Sequence, residues 1–267
     1  MEQTIIIAFA VTVLAGLATL IGWLAVIRGT TANPRLLSFG LAFAAGAMVY
    51  VSLVEIFVKS QESFMSALWF SGSDEQSPYA MATLMLFAGV AVVIMLDRLV
   101  PNPHGKLEQP GRSQGPDPFL ARAGLIAAAA ITAHNIPEGL ATFYSTLDDP
   151  TVGSSLAIAI AIHNIPEGVT IALPIFYATG SRTKAFIWTL VSALAEPIGA
   201  LLGYFILGGN PDAMTYGVLF GMIAGVMVFL SLDELLPMAK RYAKGHETVY
   251  GMVFGMALLA SSLVLFK

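Results

Sequence analysis

The sequence predicts an all-α, polytopic membrane protein, built as a bundle of eight transmembrane helices. Of the 267 residues, 57% are hydrophobic and only 11% are charged, whereas an ordinary soluble domain has about 25% charged residues. The apolar residues also form eight runs, each close to the roughly 20 residues needed to cross a bilayer. We therefore expect one transmembrane domain over residues 1–267, with the lipid bilayer as its surroundings.

The eight predicted spans are 4–27, 36–57, 79–96, 123–147, 152–179, 185–207, 214–236 and 248–266. The first follows an acidic N-terminus without Lys or Arg, so it is predicted to be a span and not a cleaved signal peptide. The long connection 99–118 is rich in Pro and Gly and is predicted to be a mobile cytoplasmic loop. Its lone histidine, His104, is more typical of a solvated loop residue than of a metal sensor.

The cations predict the orientation, because Lys and Arg accumulate in cytoplasmic loops. When the spans alternate, 11 of the 13 cations fall on one side, and the other side holds only Lys59 and Lys267. Both termini are therefore predicted to lie outside the cytoplasm.

Two further features exclude classes of function. The chain has no cysteine, which excludes disulfide scaffolds, thiolate metal sites and cysteine nucleophiles. Its formal net charge of -4 is spread over the loops without a basic run, so nucleic acid is not a predicted partner.

One hexapeptide occurs twice, as His134-Asn135-Ile136-Pro137-Glu138-Gly139 and as His163-Asn164-Ile165-Pro166-Glu167-Gly168. In each copy the His and the Glu are four residues apart and share one face of a helix, with the Asn one step around. The short connection between spans four and five predicts that the copies face each other on antiparallel helices. Span six adds a third glutamate beside a proline, Glu196-Pro197.

These side chains predict a cation site in the membrane. Each ionisable group costs roughly 2.5–3.5 kcal/mol at the centre of a span, and no Lys or Arg lies mid-span to pair with them. Cations or protons must offset the three carboxylates, although a purely structural hydrogen-bonded cluster is the alternative interpretation. Imidazole and carboxylate ligands without sulfur suit Zn, Mn, Fe and Co. The matched half-sites suggest a two-ion centre that Glu138 and Glu167 bridge.

A second internal similarity relates span two to span seven. Residues 46–56 resemble residues 225–235 at a constant offset of 179, and the two segments cross the membrane in opposite directions. We therefore predict an inverted repeat, spans one to three against spans six to eight, around spans four and five; such repeats are typical of secondary transporters. Glu55 is placed near the outer surface, and Asp233 and Glu234 near the inner one, as an entrance or exit relay or as solvated carboxylates.

Together, the motif pair, Glu196-Pro197 and the eight spans resemble the ZIP (Zrt/Irt-like) divalent metal transporters, in particular their bacterial ZupT-like branch. The resemblance covers essentially the whole chain. It implies uptake of Zn²⁺, and of ions such as Fe²⁺, Mn²⁺, Co²⁺ and Cd²⁺, into the cytoplasm by alternating access, with spans one, four, five and six moving against the others. The metal is the cargo, and no prosthetic group is implied.

The resemblance also implies two ligand sets. One ion would be held by His134, Glu138, His163 and Glu167, and the second by Asn135, Glu138, Asn164, Glu167 and Glu196. The chain departs from many relatives in lacking a His-rich loop between spans three and four and in having His-Asn at the start of the second motif. These departures argue against metal sensing by the loop and against strict zinc selectivity.

Three alternatives remain open at this point. An intramembrane metalloenzyme, such as a protease or a lipid hydrolase, would need an open metal position and a general base, but His-Glu-x-x-His is absent. A channel-like metal conduit would use the same ligands as a carrier. Glycines at four-residue spacing in spans six to eight are typical of close helix packing, either within one bundle or in a homodimer.

Overall fold

Helices account for nearly all of the chain that the structure describes. The computed structural model describes residues 2–29, 34–70, 76–99 and 118–266, with some side chains in these ranges, including those of His134 and His163, outside the description. The α-helices are α1 (Glu2–Leu17), α2 (Thr19–Arg28), α3 (Pro34–Val51), α4 (Phe57–Ser66), α5 (Gln76–Leu99), α6 (Pro118–Asp148), α7 (Pro150–Thr179), α8 (Arg182–Leu207), α9 (Ala213–Leu230), α10 (Leu236–Tyr242) and α11 (Glu247–Phe266). The predicted loop 99–118, apart from its end residues, and His104 lie outside the described residues.

Each predicted span falls on one helix or on two consecutive helices. Within the described ranges, six segments are long and apolar enough to cross a membrane: Glu2–Arg28, Ser38–Ser66, Gln76–Met95, Pro150–Leu173, Arg182–Leu207 and Ala213–Tyr242. The shorter apolar helix Glu247–Ser261 lies in the eighth predicted span, and α6 contains the fourth. The prediction of a polytopic helical membrane protein is confirmed.

Side-chain contacts show which helix ends lie together. At one end, Lys59 Nζ is 2.8 Å from Asp148 Oδ2, and the Tyr144 hydroxyl donates to the carbonyl oxygen of Gly208 at 3.0 Å. At the other end, Trp23 Nε1 donates to the carbonyl oxygen of Arg182 at 3.2 Å. Spans two, four and six thus end on one side of the bundle and span one ends on the other, as predicted, and Lys59 lies at the end that is poor in cations.

Spans two and seven each contain one turn of π-helix, at Ser52–Ile56 between α3 and α4 and at Ser231–Leu235 between α9 and α10. The two turns are 179 residues apart, the offset already seen in the sequence. π-Helical turns are rare inside α-helices, so their recurrence at matched positions makes the predicted inverted repeat visible in the backbone.

Packing follows the same inverted repeat. Four glycines lie so close to a neighbouring backbone that a methyl group there would overlap a carbonyl oxygen: Gly46 against Met252 and Gly255 against Phe43 between α3 and α11, and Gly225 against Leu86 and Gly89 against Met222 between α9 and α5. The offset of 179 relates α3 to α9, and an offset of 166 relates α5 to α11. The packing of span two on span eight therefore matches the packing of span seven on span three.

The glycines that suggested either internal packing or a homodimer contact all meet neighbours in their own chain. They are Gly199, Gly203, Gly217, Gly221, Gly225, Gly251 and Gly255, and each lies against atoms of another helix of the same bundle. Their small size lets helix backbones approach closely. For these residues, internal packing is confirmed, and a homodimer remains a prediction without support from them.

The helices form two groups. In the first group, α3 packs on α11, and both α4 and α5 pack on α9. The second group consists of α1, α2, α6, α7 and α8, which pack on one another. The groups meet mainly where α3 lies on α7 and α6 lies on α9. These groups contain the two sets of spans that the resemblance expects to move relative to each other.

Candidate metal centre

The two hexapeptides lie on α6 and α7, which pack side by side. The turn between them forms because Asp149 caps α7, its side chain accepting from the backbone N–H groups of Thr151 at 2.8 Å and Val152 at 3.3 Å, and because Pro150 occupies the first turn of the helix. A connection this short makes the helices antiparallel neighbours, as predicted.

Five of the seven predicted ligands have described side chains, and all five are fully buried: Asn135, Glu138, Asn164, Glu167 and Glu196. His134 and His163 lie on α6 and α7, one helical turn before Glu138 and Glu167. Their side chains lie outside the described part, so their role as ligands remains a prediction. α6 and α8 continue as helices through Pro137 and Pro197.

The two asparagines are held in matching ways. Asn135 Nδ2 donates to the carbonyl oxygen of Ser192 at 3.2 Å and to its Oγ at 3.1 Å. Asn164 Nδ2 donates to the carbonyl oxygen of Ala15 at 2.9 Å and also to Glu196 Oε1. Because both amide nitrogens are occupied, the amide oxygens point elsewhere, and both Oδ1 atoms are buried without a hydrogen-bond partner in the described structure. An amide oxygen in that state can accept a metal ion.

The three carboxyl groups form one electrostatic unit. The charge of Glu138 acts on the carboxyl groups of Glu167 and Glu196, and the charge of Glu196 acts on the carboxyl group of Glu167. Ionised carboxylates that are buried together repel one another and lose their hydration. Among the side chains that the structure describes, which exclude both histidines, no three His, Asp or Glu residues form a metal-binding group by themselves. The role of the three carboxylates as metal ligands therefore remains a prediction.

Close backbone contacts position this centre, again in matched pairs. A methyl group at Gly139 would overlap the carbonyl oxygen of Glu196, and one at Gly168 would overlap that of Thr19. Gly199 and Gly22 make the reciprocal contacts, with Ile136 and Ile165. The backbone contact between spans four and six thus has the same form as the contact between spans five and one.

This symmetry identifies where the two halves differ. Glu196 on α8 and Thr19 on α2 occupy equivalent positions, 177 residues apart. Thr19 Oγ1 donates within its own helix, to the carbonyl oxygen of Gly16 at 2.7 Å, whereas Glu196 lies against Asn164. The centre therefore has a third carboxylate in one half only.

Two contacts of the centre went unpredicted. Ser192 lies four residues before Glu196 and shares its helix face, a spacing that could have identified it. Nothing in the sequence marks the Ala15 carbonyl oxygen as a contact of the centre. Its helix is interrupted at Ala18, between α1 and α2, where the Ala18 N–H donates to the Ala15 oxygen at 3.1 Å. The interruption lies where Asn164 donates a hydrogen bond to the Ala15 carbonyl oxygen, an acceptor that a regular helix would use for its own backbone.

The predicted relay residues lie in the two π-helical turns. Glu55 is 4% exposed in the turn between α3 and α4. In the equivalent turn between α9 and α10, Glu234 is partly buried and Asp233 is exposed. Burial thus differs between the two turns, with the carboxylates of the second turn more exposed.

Comparison with known proteins assigns the family. The sequence model of the ZIP zinc transporter family matches residues 101–262. A zinc transporter ZupT of Stenotrophomonas maltophilia (strain K279a) is 56% identical over 267 residues, covering 99% of this chain and 97% of that protein. Proteins of the same name from Neisseria meningitidis serogroup C (strain FAM18) and Chlorobium chlorochromatii (strain CaD3) are 54% and 46% identical, over 97% and 100% of this chain. They cover 96% and 100% of those two proteins. Since the match extends over the whole length, this chain belongs to the ZIP zinc transporter family.

Proposed function

We propose that this chain carries divalent transition metal, with zinc as the principal ion, into the cytoplasm through the centre on α6, α7 and α8. The observation that carries the proposal is the set of five fully buried amide and carboxylate side chains, four of which occupy matched positions on α6 and α7. Such a set is costly in a membrane unless a cation is part of it. ZIP family members are transporters and not enzymes, so membership sets the metalloenzyme alternative aside.

The ligand assignment follows the two sets implied by the resemblance. The first ion is held by His134, Glu138, His163 and Glu167, and the second by Asn135, Glu138, Asn164, Glu167 and Glu196. The buried Oδ1 atoms of both asparagines and Oε2 of Glu196 lack hydrogen-bond partners in the described structure, which supports a place for them in the second set. Oxygen and nitrogen ligands without sulfur also suit iron, manganese, cobalt and cadmium to different degrees.

The orientation in the membrane rests on the cations at the helix ends, and the direction of transport rests on the uptake that the resemblance implies. The cation-rich end faces the cytoplasm under the positive-inside rule, so both termini and Glu55 lie on the outer side. Metal then passes from the Glu55 side through the centre to Asp233 and Glu234, the more exposed pair. Alternating access in the cell inner membrane moves the α1, α2, α6, α7 and α8 group against the other.

Flux measurements test this proposal. Purified protein in proteoliposomes that contain a zinc-sensitive dye is expected to admit Zn²⁺, with a rate that saturates as external zinc rises. Empty vesicles are the control. Absence of flux above that control contradicts the proposal, and a rate that stays proportional to zinc concentration favours the channel-like alternative.

A further inference from the structure

A buried lysine lies at the cation-poor end of the bundle. The Lys59 side chain is 8% exposed, and its Nζ is 2.8 Å from Asp148 Oδ2, on a side chain that is 45% exposed. The same ammonium lies 5.5 Å from the centre of the Phe220 ring, close enough for a cation–π interaction. A buried ammonium requires such partners, because its hydration is lost.

This ion pair joins the two helix groups. Lys59 belongs to α4, and the next residue, Ser60, donates from its hydroxyl to the carbonyl oxygen of Gly217 on α9 at 2.6 Å. Asp148 is the last residue of α6, in the other group. The pair therefore crosses the boundary at which the groups would have to separate.

A strip of polar side chains leads from this pair to the metal centre. Thr142 and Ser145 lie four and seven residues after Glu138 on α6 and share its face, and Asp148 follows one turn later. Both hydroxyl oxygens are fully buried and lack a hydrogen-bond partner in the described structure. Unpaired buried hydroxyls are costly, which is consistent with a strip that water or a cation contacts when the groups separate.

The inverted repeat shows that the lysine belongs to one end only. At the offset of 179, Ser52 corresponds to Ser231 and Glu55 to Glu234, whereas Lys59 corresponds to Met238. The serine and the glutamate are thus repeated at the equivalent positions, whereas a methionine stands at the position equivalent to Lys59. A protonated lysine cannot ligate a metal, so its presence on a cation path points to closure of that path.

We propose that the Lys59–Asp148 pair is a latch that closes the outer end of the metal path, and that an arriving divalent cation opens it by competing with the Lys59 ammonium for the Asp148 carboxylate. The proposal rests on the proposed function for the direction of the path. Its occupant is a hydrated divalent metal ion, attracted by Asp148, the exposed member of the pair. The burial of Glu55, Thr142 and Ser145 corresponds to the closed state.

The absence of cysteine from the chain makes the test direct. Ser145→Cys introduces one thiol, whose reaction with a charged, membrane-impermeant methanethiosulfonate reagent added from outside reports access to the strip. We expect slow reaction in the otherwise unchanged chain, and reaction about tenfold faster with Lys59→Met or Asp148→Asn, a change typical of a shifted two-state equilibrium. Combining Lys59→Asp with Asp148→Lys should restore slow reaction.

The control variant is Asp149→Asn, which alters the adjacent carboxylate that caps α7 and should leave the reaction rate unchanged. Mn²⁺, a divalent ion that prefers carboxylate to thiolate ligands and so spares the new thiol, should accelerate labelling in the Ser145→Cys chain when added from outside and have little further effect with Lys59→Met. Unchanged labelling in both Lys59→Met and Asp148→Asn, with both variants monodisperse, overturns the latch, and a lack of any Mn²⁺ effect overturns the competition. Labelling requires no transport, so absence of zinc flux with accelerated labelling would contradict the proposed function alone.

Discussion

Zinc flux is expected to fall by at least about 100-fold when Glu138 or Glu167 is replaced by glutamine, since even outer partners of metal ligands contribute roughly 10–100-fold to affinity or activity. Both glutamates are fully buried, and each belongs to both proposed ligand sets. Glutamine keeps the shape of the side chain and removes its charge, so the loss reflects ligation and not packing.

The same variants should fold normally without metal. Removing one of three buried carboxylates relieves repulsion among them, so the unfolding temperature of the metal-free protein in detergent should not fall. Glu62→Gln, which changes an exposed glutamate on α4, is the matched control and should keep normal flux. Normal zinc flux in folded Glu138→Gln and Glu167→Gln proteins would refute the assignment of both residues.

Glu196→Gln is expected to reduce the zinc bound at saturation from two ions to one for each chain. Glu196 is proposed as a ligand of the second ion only, and it is the carboxylate that the other half of the centre lacks. The glutamine can still accept the hydrogen bond from Asn164 Nδ2, so the surrounding helices should remain in place. Metal analysis after equilibrium dialysis of the purified protein measures the number directly.

Thr19→Val is the matched control for this change, because Thr19 occupies the equivalent position and its hydroxyl bonds only within its own helix in the described structure. It should retain two zinc ions. Two ions bound to Glu196→Gln, or none, would contradict the division of ligands between the two sets.

The positions of the helices followed from hydropathy, because bilayer thickness and apolar length are linked directly. The ends of spans two and seven could not be predicted from hydropathy. Hydropathy ends them near residues 57 and 236, but the helices continue to Ser66 and Tyr242. Lys59 lowers the apolar score while lying buried beside Asp148 and Phe220, and only tertiary contacts could reveal that. The π-helical turns had no recognised signal beyond the repeated segments that contain them.

The centre was predictable where one helix carries the pattern. Spacing alone placed Glu138 and Glu167 on their helix faces, and the short turn after Asp148 made the helices neighbours. The contact with the Ala15 carbonyl could not be predicted, because every residue has a backbone oxygen and only the fold brings this one to Asn164. The equivalence of Glu196 and Thr19 was also hidden, since two different side chains occupy matched backbone positions.

Anomalous diffraction at the zinc edge, from crystals of the zinc-loaded protein, tests the central claim most directly, because it locates zinc without any assumption about transport. Two peaks are expected inside the bundle, beside the carboxyl groups of Glu138, Glu167 and Glu196. Peaks only at exposed groups such as His246, with none among these three glutamates, would contradict it.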